Sequence, residues 1–238
     1  MMKNESFADI HTHILPGMDD GASTVEESLM MLSELFRQGV TTVAATPHFY
    51  ADRESPKDFF ERRQEAFSRL EGKLNGDLTV LPGAEVRYYQ GISGTTELPE
   101  LTIGDTNLLL LEMPFGEWTP SVVNEVYSLQ RDRKLQVVIA HIDRYFSRNN
   151  LKYTEGMRSF GIMFQLNADV FFDRKRKSTA LKMLESKAVD FIASDCHNMT
   201  SRPPMLTEAY TVMEKKLGSD CKEWLLEQSE AYFRGGDG

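Results

Sequence analysis

The chain has five histidines, and each one closes a short apolar run. His11 and His13 form an H-x-H in FADIHTH, His48 ends ATPH, His141 ends VVIAH and His197 ends SDCH. A run of Val, Ile, Ala or Phe that stops at a polar side chain is the pattern of a buried strand at its carboxyl end. Carboxylates share these positions: Asp20 in GMDDG, Glu85 in LPGAEV, Glu112 after LLLL, and Asp195 two residues before His197. Residues two apart on an extended strand project from the same side, so His11 with His13, and Asp195 with His197, can each chelate one ion. A single strand-end histidine is most often a polar core group with its hydrogen bonds satisfied. Five together, with two such spaced pairs, argue for a built site. Asp20 is taken over Asp19, which reads as a solvated turn residue or a supporting carboxylate. The nine candidates are then too many for one ion. Three divalent metals with shared carboxylate bridges fit, because each takes about four to six ligands and water supplies the rest. Mixed imidazole and carboxylate without thiolate suits Mn, with Fe or Zn as alternatives.

The elements that must position these residues alternate between strand and helix. Strand candidates lie near 7–10, 42–46, 79–84, 107–111, 136–140, 162–166 and 190–194, with helical patterns between most of them. The first helix is well punctuated: Ser23 or Thr24 can cap it, Glu26 and Glu27 favour its positive end, and Gly39 can end it. Ser55-Pro56 and Thr119-Pro120 each place a capping hydroxyl before proline at the first helical position. Seven βα repeats imply an α/β fold with a parallel barrel, closed or nearly so, whose functional face lies at the carboxyl ends of the strands. Residues 203–233 read as two helices and the terminal RGGDG as a frayed tail.

At 238 residues and 41% hydrophobic content the chain is expected to form a single domain over residues 1–238. No stretch approaches 18 uninterrupted apolar residues, and the amino terminus has no signal-peptide core, so a soluble cytoplasmic protein without membrane insertion is expected. Two cysteines cannot build a disulfide framework. A net charge of −9 disfavours a nucleic-acid partner.

The order H-x-H with DDG, T-P-H, G-A-E, L-E-M-P, A-H-x-x-R-Y and S-D-x-H-N followed by Arg-Pro-Pro resembles the PHP (polymerase and histidinol phosphatase) superfamily. Within it, DDG, HIDRY and DCHNMTSRPP most resemble the bacterial metal-dependent protein-tyrosine phosphatases of capsule and exopolysaccharide loci, from about residue 7 to 204. The resemblance implies a distorted (β/α)7 TIM-like barrel with a trinuclear metal site. Position by position it implies one metal on His11, His13, Glu85 and Asp195, a second shared by Glu85 and completed by Glu112 and His141, and a third on Asp20, His48 and His197. It gives Arg144 and Arg202 the role of binding the substrate phosphate, with HIDRY standing where HPERY is commoner. The implied partner is a tyrosine-phosphorylated protein, the tyrosine-rich tail of a bacterial kinase controlling polysaccharide export. The implied chemistry is direct in-line attack by a metal-activated water.

Other readings compete. Histidinol-phosphate phosphatase is the alternative activity on the same scaffold. Cys196-x5-Arg202 has the spacing of a cysteine-dependent phosphatase loop, but HNMTS between them lacks the glycine that a tight phosphate cradle needs, and Cys196 alternates away from Asp195 and His197. Asp19 or another carboxylate is left open as an acid for the leaving phenol. Tyr88, Tyr89, Phe115, Trp118, Tyr145 and Phe146 are candidate walls for a phenyl ring and equally candidates for packing. RKRK at 174–177 reads as a solvated helix start or a contact for an acidic peptide.

Overall fold

Two all-parallel sheets carry the site. The computed structural model describes residues 7–74 and 76–233, so the expected frayed tail RGGDG lies outside the described residues. Among them are nine strands: β1 (Phe7–Thr12), β2 (Val40–Ala45), β3 (His48–Phe49), β4 (Thr79–Pro82), β5 (Glu85–Arg87), β6 (Leu108–Glu112), β7 (Gln136–Ile139), β8 (Met163–Asn167) and β9 (Phe191–Ala193). One sheet has the order β1-β2-β4 and the other β3-β5-β6-β7-β8-β9. β9 returns to β1 through Asp195 N–H to the His11 carbonyl and His13 N–H to the Cys196 carbonyl, both 2.9 Å.

Seven of these strands coincide with the apolar runs of the sequence; β3 and β5 are the difference. Each follows its predecessor after only two residues, Thr46-Pro47 and Gly83-Ala84. Pro47 has no N–H to give a ladder, and a Cβ on Gly83 would meet Thr46 and Ile103 side chains at 3.1 Å. The ladder therefore breaks at the same level in both strands and resumes when Glu85 N–H reaches the Pro47 carbonyl at 3.1 Å.

The helices follow their sequence signals. α1 (Val25–Arg37) is capped by Thr24, whose hydroxyl accepts from Glu27 N–H at 3.2 Å. α2 (Pro56–Ser68) and α3 (Pro120–Arg133) begin at the expected prolines under Ser55 and Thr119. α4 (Arg148–Ser159) is capped by Ser147, α5 (Lys177–Glu185) precedes β9, and α6 (Leu206–Leu217) and α7 (Ser219–Phe233) make up the expected pair of carboxyl-terminal helices. The connection between β5 and β6 departs from a uniform repeat, holding two short 3-10 turns, Ile92–Gly94 and Leu98–Leu101, in place of an α-helix. No helix among the described residues is long and apolar enough to cross a membrane.

The inner face of the sheets explains where the polar residues go. Ile10, Ala44, Leu108, Leu110, Val138, Ala140, Met163, Phe191 and Ala193 pack into one inner cluster, joined by Tyr232 and Phe233 of α7. The same side-chain alternation carried on along each strand reaches polar groups: Leu108-Leu110-Glu112, Phe191-Ala193-Asp195, Met163-Gln165-Asn167 and Ala44-Thr46-His48. Leu81-Gly83-Glu85 does the same across the β4–β5 break, and β1 and β7 reach the same end by an irregularity. In β1 the register shifts between Asp9 and Thr12. After β7, His141 adopts a left-handed backbone with φ 32°.

Arg63 of α2 seals the strand break from outside. It is 3% exposed, and its guanidinium donates to the Gly83 carbonyl at 2.8 Å and the Glu100 carbonyl at 2.9 Å. Burial lowers its pKa to about 10, so it stays charged at neutral pH. Arg63→Ala should cost about 2–4 kcal/mol, because two buried carbonyls lose a charged donor. Arg63→Lys should recover little, since a point charge cannot span both. Urea unfolding measures this; a loss below about 1 kcal/mol would mean that the break does not depend on Arg63.

Candidate metal centre

Four donor atoms from three parts of the chain meet at the spacing of ligands about one ion. His11 Nε2 and His13 Nε2 are 3.2 Å apart. Glu85 Oε2 lies 3.3 Å from the first and 3.4 Å from the second, and Asp195 Oδ1 lies 3.4 Å and 3.3 Å from them. A tetrahedral ion with bonds of about 2.1 Å has ligand-to-ligand edges of about 3.4 Å. Glu85 Oε2 is also 2.8 Å from His48 Nδ1, yet it is buried without a hydrogen-bond partner. A carboxylate oxygen among three imidazole nitrogens that makes no hydrogen bond with any of them fits donors gathered around cations.

The other candidates extend this cluster on both sides. His141 Nε2 is 2.7 Å from Glu85 Oε1 and 3.7 Å from Glu112 Oε1. Asp20 Oδ1 faces His48 Nε2 at 3.5 Å and His197 Nε2 at 3.4 Å. His48 thus stands between two groups, with one ring nitrogen toward Asp20 and the other toward Glu85. All nine residues expected from the sequence are brought together.

Hydrogen bonds behind the imidazoles turn three of them inward. His13 Nδ1 bonds Asp19 Oδ2 at 2.7 Å, His11 Nδ1 meets Gln165 Oε1 at 3.2 Å, and His197 Nδ1 meets the Asp195 carbonyl at 3.0 Å. Each contact satisfies a ring N–H at Nδ1 and leaves Nε2 to carry the inward lone pair. Asp19 also accepts from His48 N–H and Gly21 N–H, both at 2.9 Å. It is the supporting carboxylate of the two readings considered for it. The DDG loop needs its glycine, because a Cβ on Gly21 would lie 2.1 Å from the His13 carbonyl oxygen.

The electrostatics follow from burial and neighbours. Burial opposes a charge on His13, but Asp19, Asp195 and Glu85 outweigh it and push its pKa well above the ordinary value; His11 is raised in the same way by Asp195 and Glu85. Burial would raise Glu85 and Asp195, yet the adjacent imidazoles hold both well below the carboxylate range. Burial keeps His141 neutral and, with His13 beside it, lowers His197 to about 3. His13 and hydrogen bonds from the backbone N–H groups of His48 and Gly21 outweigh burial and hold Asp19 below the ordinary carboxylate range.

Arg144 and Arg202 converge on the far oxygen of Asp195. Their Nη2 atoms donate to Asp195 Oδ2 at 2.5 Å and 2.8 Å, and Asn167 Nδ2 adds a third bond at 2.7 Å. Both guanidiniums remain part-exposed beside the cluster. Gln165 and Asn167 escaped the sequence reading although they carry the same two-residue spacing as the histidine pair: Gln165 holds His11 and His141 N–H, and Asn167 links Gln165 to Asp195. Cys196 is fully buried, packs in the core, and has its thiol pKa pushed well up by burial, which rules out a thiolate nucleophile. Of the aromatic candidates, Trp118 and Tyr145 are buried, and the Tyr145 hydroxyl donates to the Met113 carbonyl at 2.8 Å. Phe115 is 62% exposed. Tyr50, which the sequence reading passed over, stacks on His48 with ring centres 5.2 Å apart. In RKRK, Arg176 is no solvated residue, since it reaches buried Asp143 at 2.6 Å and Asp173 at 2.9 Å.

A family profile described as capsular polysaccharide synthesis, CpsB/CapC, matches residues 7–232. The chain belongs to the CpsB/CapC family. This CpsB/CapC chain is 33% identical over 233 residues to tyrosine-protein phosphatase YwqE of Bacillus subtilis strain 168, covering 95% of this chain and 91% of the relative. It is 31% identical to tyrosine-protein phosphatase CpsB of Streptococcus agalactiae serotype III, covering 95% and 98%. A crystal structure from work on YwqE of B. subtilis and CpsB of Streptococcus pneumoniae, described as metal-dependent tyrosine phosphatases, superposes with a TM-score of 0.83 at 31% identity, covering 95% of this chain and 94% of the other. The resemblance seen in the motifs thus extends over the whole family domain.

The raised His11 and His13 values set a pH dependence. Without metal, these two stabilise the fold only while protonated, so that contribution fades as pH rises through their raised values. A metal must displace those protons, so metal binding should release protons and the apparent Kd should tighten as pH rises. Calorimetric Mn titrations in two buffers of different ionisation enthalpy count the protons; binding that releases none would show that these imidazoles are not ligands.

Proposed function

We propose that this CpsB/CapC protein is a metal-dependent protein-tyrosine phosphatase, working as one domain over residues 1–238. In this reading β2 with β3, and β4 with β5, are single strands interrupted at Pro47 and Gly83, so the sheets form a distorted (β/α)7 barrel of the PHP type. The carrying observation is the cluster in which a Glu85 oxygen and an Asp195 oxygen each lie within 3.4 Å of both His11 Nε2 and His13 Nε2, with two guanidiniums bound to the outer oxygen of Asp195. Three divalent ions, Mn first and Fe or Zn as alternatives, are assigned to His11, His13, Glu85 and Asp195, to Glu85, Glu112 and His141, and to Asp20, His48 and His197.

Bound there, the ions supply Lewis acidity and a water that is a nucleophile at neutral pH. The chain's own residues do the rest. Glu85 joins the first two groups and fixes their separation. Arg144 and Arg202 hold the phosphoryl oxygens by charge-assisted bonds from their free N–H groups, and their shared grip on Asp195 sets the angle between them. Asp19, Gln165 and the Asp195 carbonyl keep three imidazoles turned inward. A tyrosyl leaving group with a pKa of about 10 needs less protonation than a serine alkoxide, in keeping with the ionised state of Asp19. With Cys196 buried, displacement is direct and in line. The substrate is a tyrosine-phosphorylated protein, the tail of a bacterial kinase of polysaccharide export, and the setting is cytoplasmic, where two free cysteines are at home.

Chelation should abolish hydrolysis of a phosphotyrosine peptide, Mn should restore it, and Cys196→Ser should keep most of it. Phosphotyrosine should be preferred over phosphoserine and histidinol phosphate under matched metal and pH. Faster turnover of histidinol phosphate would move the chain to the other activity, and a dead but metal-loaded Cys196→Ser protein would overturn the metal reading.

Arg144→Ala or Arg202→Ala should lower kcat/KM about a hundredfold, because a contact that strengthens in the transition state is lost. Metal content should hold, since the remaining guanidinium and Asn167 still bind Asp195. Elemental analysis beside the kinetics separates the two effects; normal turnover in either variant would place phosphate binding elsewhere.

A further inference from the structure

Two other arginines stand beside the centre without a carboxylate partner. Arg53 lies 4.3 Å and Arg87 5.6 Å from the ring centre of Tyr50, which itself stacks on His48. Both are exposed, and among the described residues neither has a carboxylate oxygen within 4.0 Å or a side-chain hydrogen bond. Arg148 and Arg174 share this condition, so what sets Arg53 and Arg87 apart is their place against Tyr50, beside the candidate metal ligands. Arg144, Arg202 and Arg62, also near the centre, are by contrast each paired to a carboxylate at 2.8 Å or less.

Arg53 borders an open space. A cavity of about 290 Å³ opens between the metal-ligand candidates and Arg53, lined by Met18, Asp20, His48, Tyr50, Arg53 and Glu54 among others. Asp20 is turned to His48 and His197. Glu54 is matched by a two-pronged bond from Arg62, at 2.7 Å and 3.0 Å. Arg53 is thus the one lining charge left without a counter-ion, and Tyr50 holds it in place by a cation–π contact. Tyr50 and Arg53 lie just after β3, Arg87 ends β5, and Arg144 and Arg202 are bound to Asp195.

We propose that Arg53 and Arg87, carried on Tyr50, form a second anion subsite that binds a carboxylate of the substrate peptide close to the phosphotyrosine. This rests on the phosphatase reading and names a specificity within it. The Arg53 guanidinium is less than about 10 Å from the His48 ring, a span of about three extended residues. The acidic side chain therefore sits within three residues of the phosphotyrosine. The overall negative field repels acidic peptides in general, so a local cationic subsite favours those that place their acid in register.

The test uses the metal-loaded protein and fluorescence anisotropy with labelled peptides carrying a non-hydrolysable phosphonate analogue of phosphotyrosine. Peptides differ two residues away: Asp, Asn or a second phosphotyrosine analogue. Wild type should bind the Asp peptide about tenfold more tightly than the Asn peptide at low salt. The preference should vanish in the Arg53→Ala, Arg87→Ala double variant and survive in part in the double lysine variant. No preference in wild type, or one that persists in the double alanine variant, overturns the proposal. So does an equal loss for both peptides, which would make the pair part of the main phosphate site, and so does a tenfold preference for the second phosphonate over Asp. Failure of wild type to hydrolyse any phosphotyrosine peptide would instead sink the phosphatase reading, while the Asp-to-Asn binding ratio would still be read on its own.

Discussion

Glu85 is the point on which the arrangement depends. Its two oxygens lie 2.7 to 3.4 Å from nitrogens of four histidines, His11, His13, His48 and His141, carried by three different strand regions. A carboxylate 1% exposed cannot remain there without cations, because burial alone would drive it toward its neutral form. Protons on His11 and His13 meet that demand in the metal-free chain, and divalent ions meet it with more charge and fixed directions. The break at Gly83 is what puts Glu85 at this depth. With Arg63 tying the Gly83 carbonyl from outside, the strand can step across to the second sheet without leaving its backbone groups bare.

Two candidate ligand positions are held against backbone preference. His141 and Asp195 have φ values of 32° and 50°, a region that side chains other than glycine seldom occupy. Strain of this kind persists only where the surroundings over-determine it. For His141 the fixing contacts are its N–H to Gln165 at 2.7 Å and its ring to Glu85; for Asp195 they are its N–H to the His11 carbonyl and three donors on Oδ2. Gln165 and Asn167 on the inner face of β8 therefore do more than pack. They hold bent ends of neighbouring strands in a geometry that those ends would not adopt alone.

Much of this was legible because strand alternation and chemistry coincide. Apolar runs ending in His11, His48, Glu112, His141 and Asp195 marked both the strands and the face on which they end, and proline after serine or threonine marked two helix starts. What escaped had a different origin in each case. The sheet split depends on how Pro47 and Gly83 lie beside each other, a contact between segments far apart in sequence. Gln165 and Asn167 sat inside an apolar run and carried no titratable group, so only their spacing could have flagged them. Asp19 and Asp20 are adjacent, and whether one supports a histidine while the other faces two more is decided by the close fit of Gly21 against His13. Arg176 looked like a solvated residue because its partner, Asp143, is buried at a turn 33 residues earlier.

In the phosphatase reading, Asp195 serves metal and substrate with one side chain. Its Oδ1 faces His11 and His13, while its Oδ2 accepts from Arg144, Arg202 and Asn167. Charge drawn toward one oxygen is withdrawn from the other, so in the phosphatase reading a cation at Oδ1 and the guanidiniums at Oδ2 would share one carboxylate. The shared bond to Oδ2 would keep Arg144 and Arg202 beside the metal ligands, and their N–H groups not spent on Asp195 would be the ones left for a phosphate dianion. One buried carboxylate with two inequivalent oxygens would in this way tie the phosphate site to the metal site.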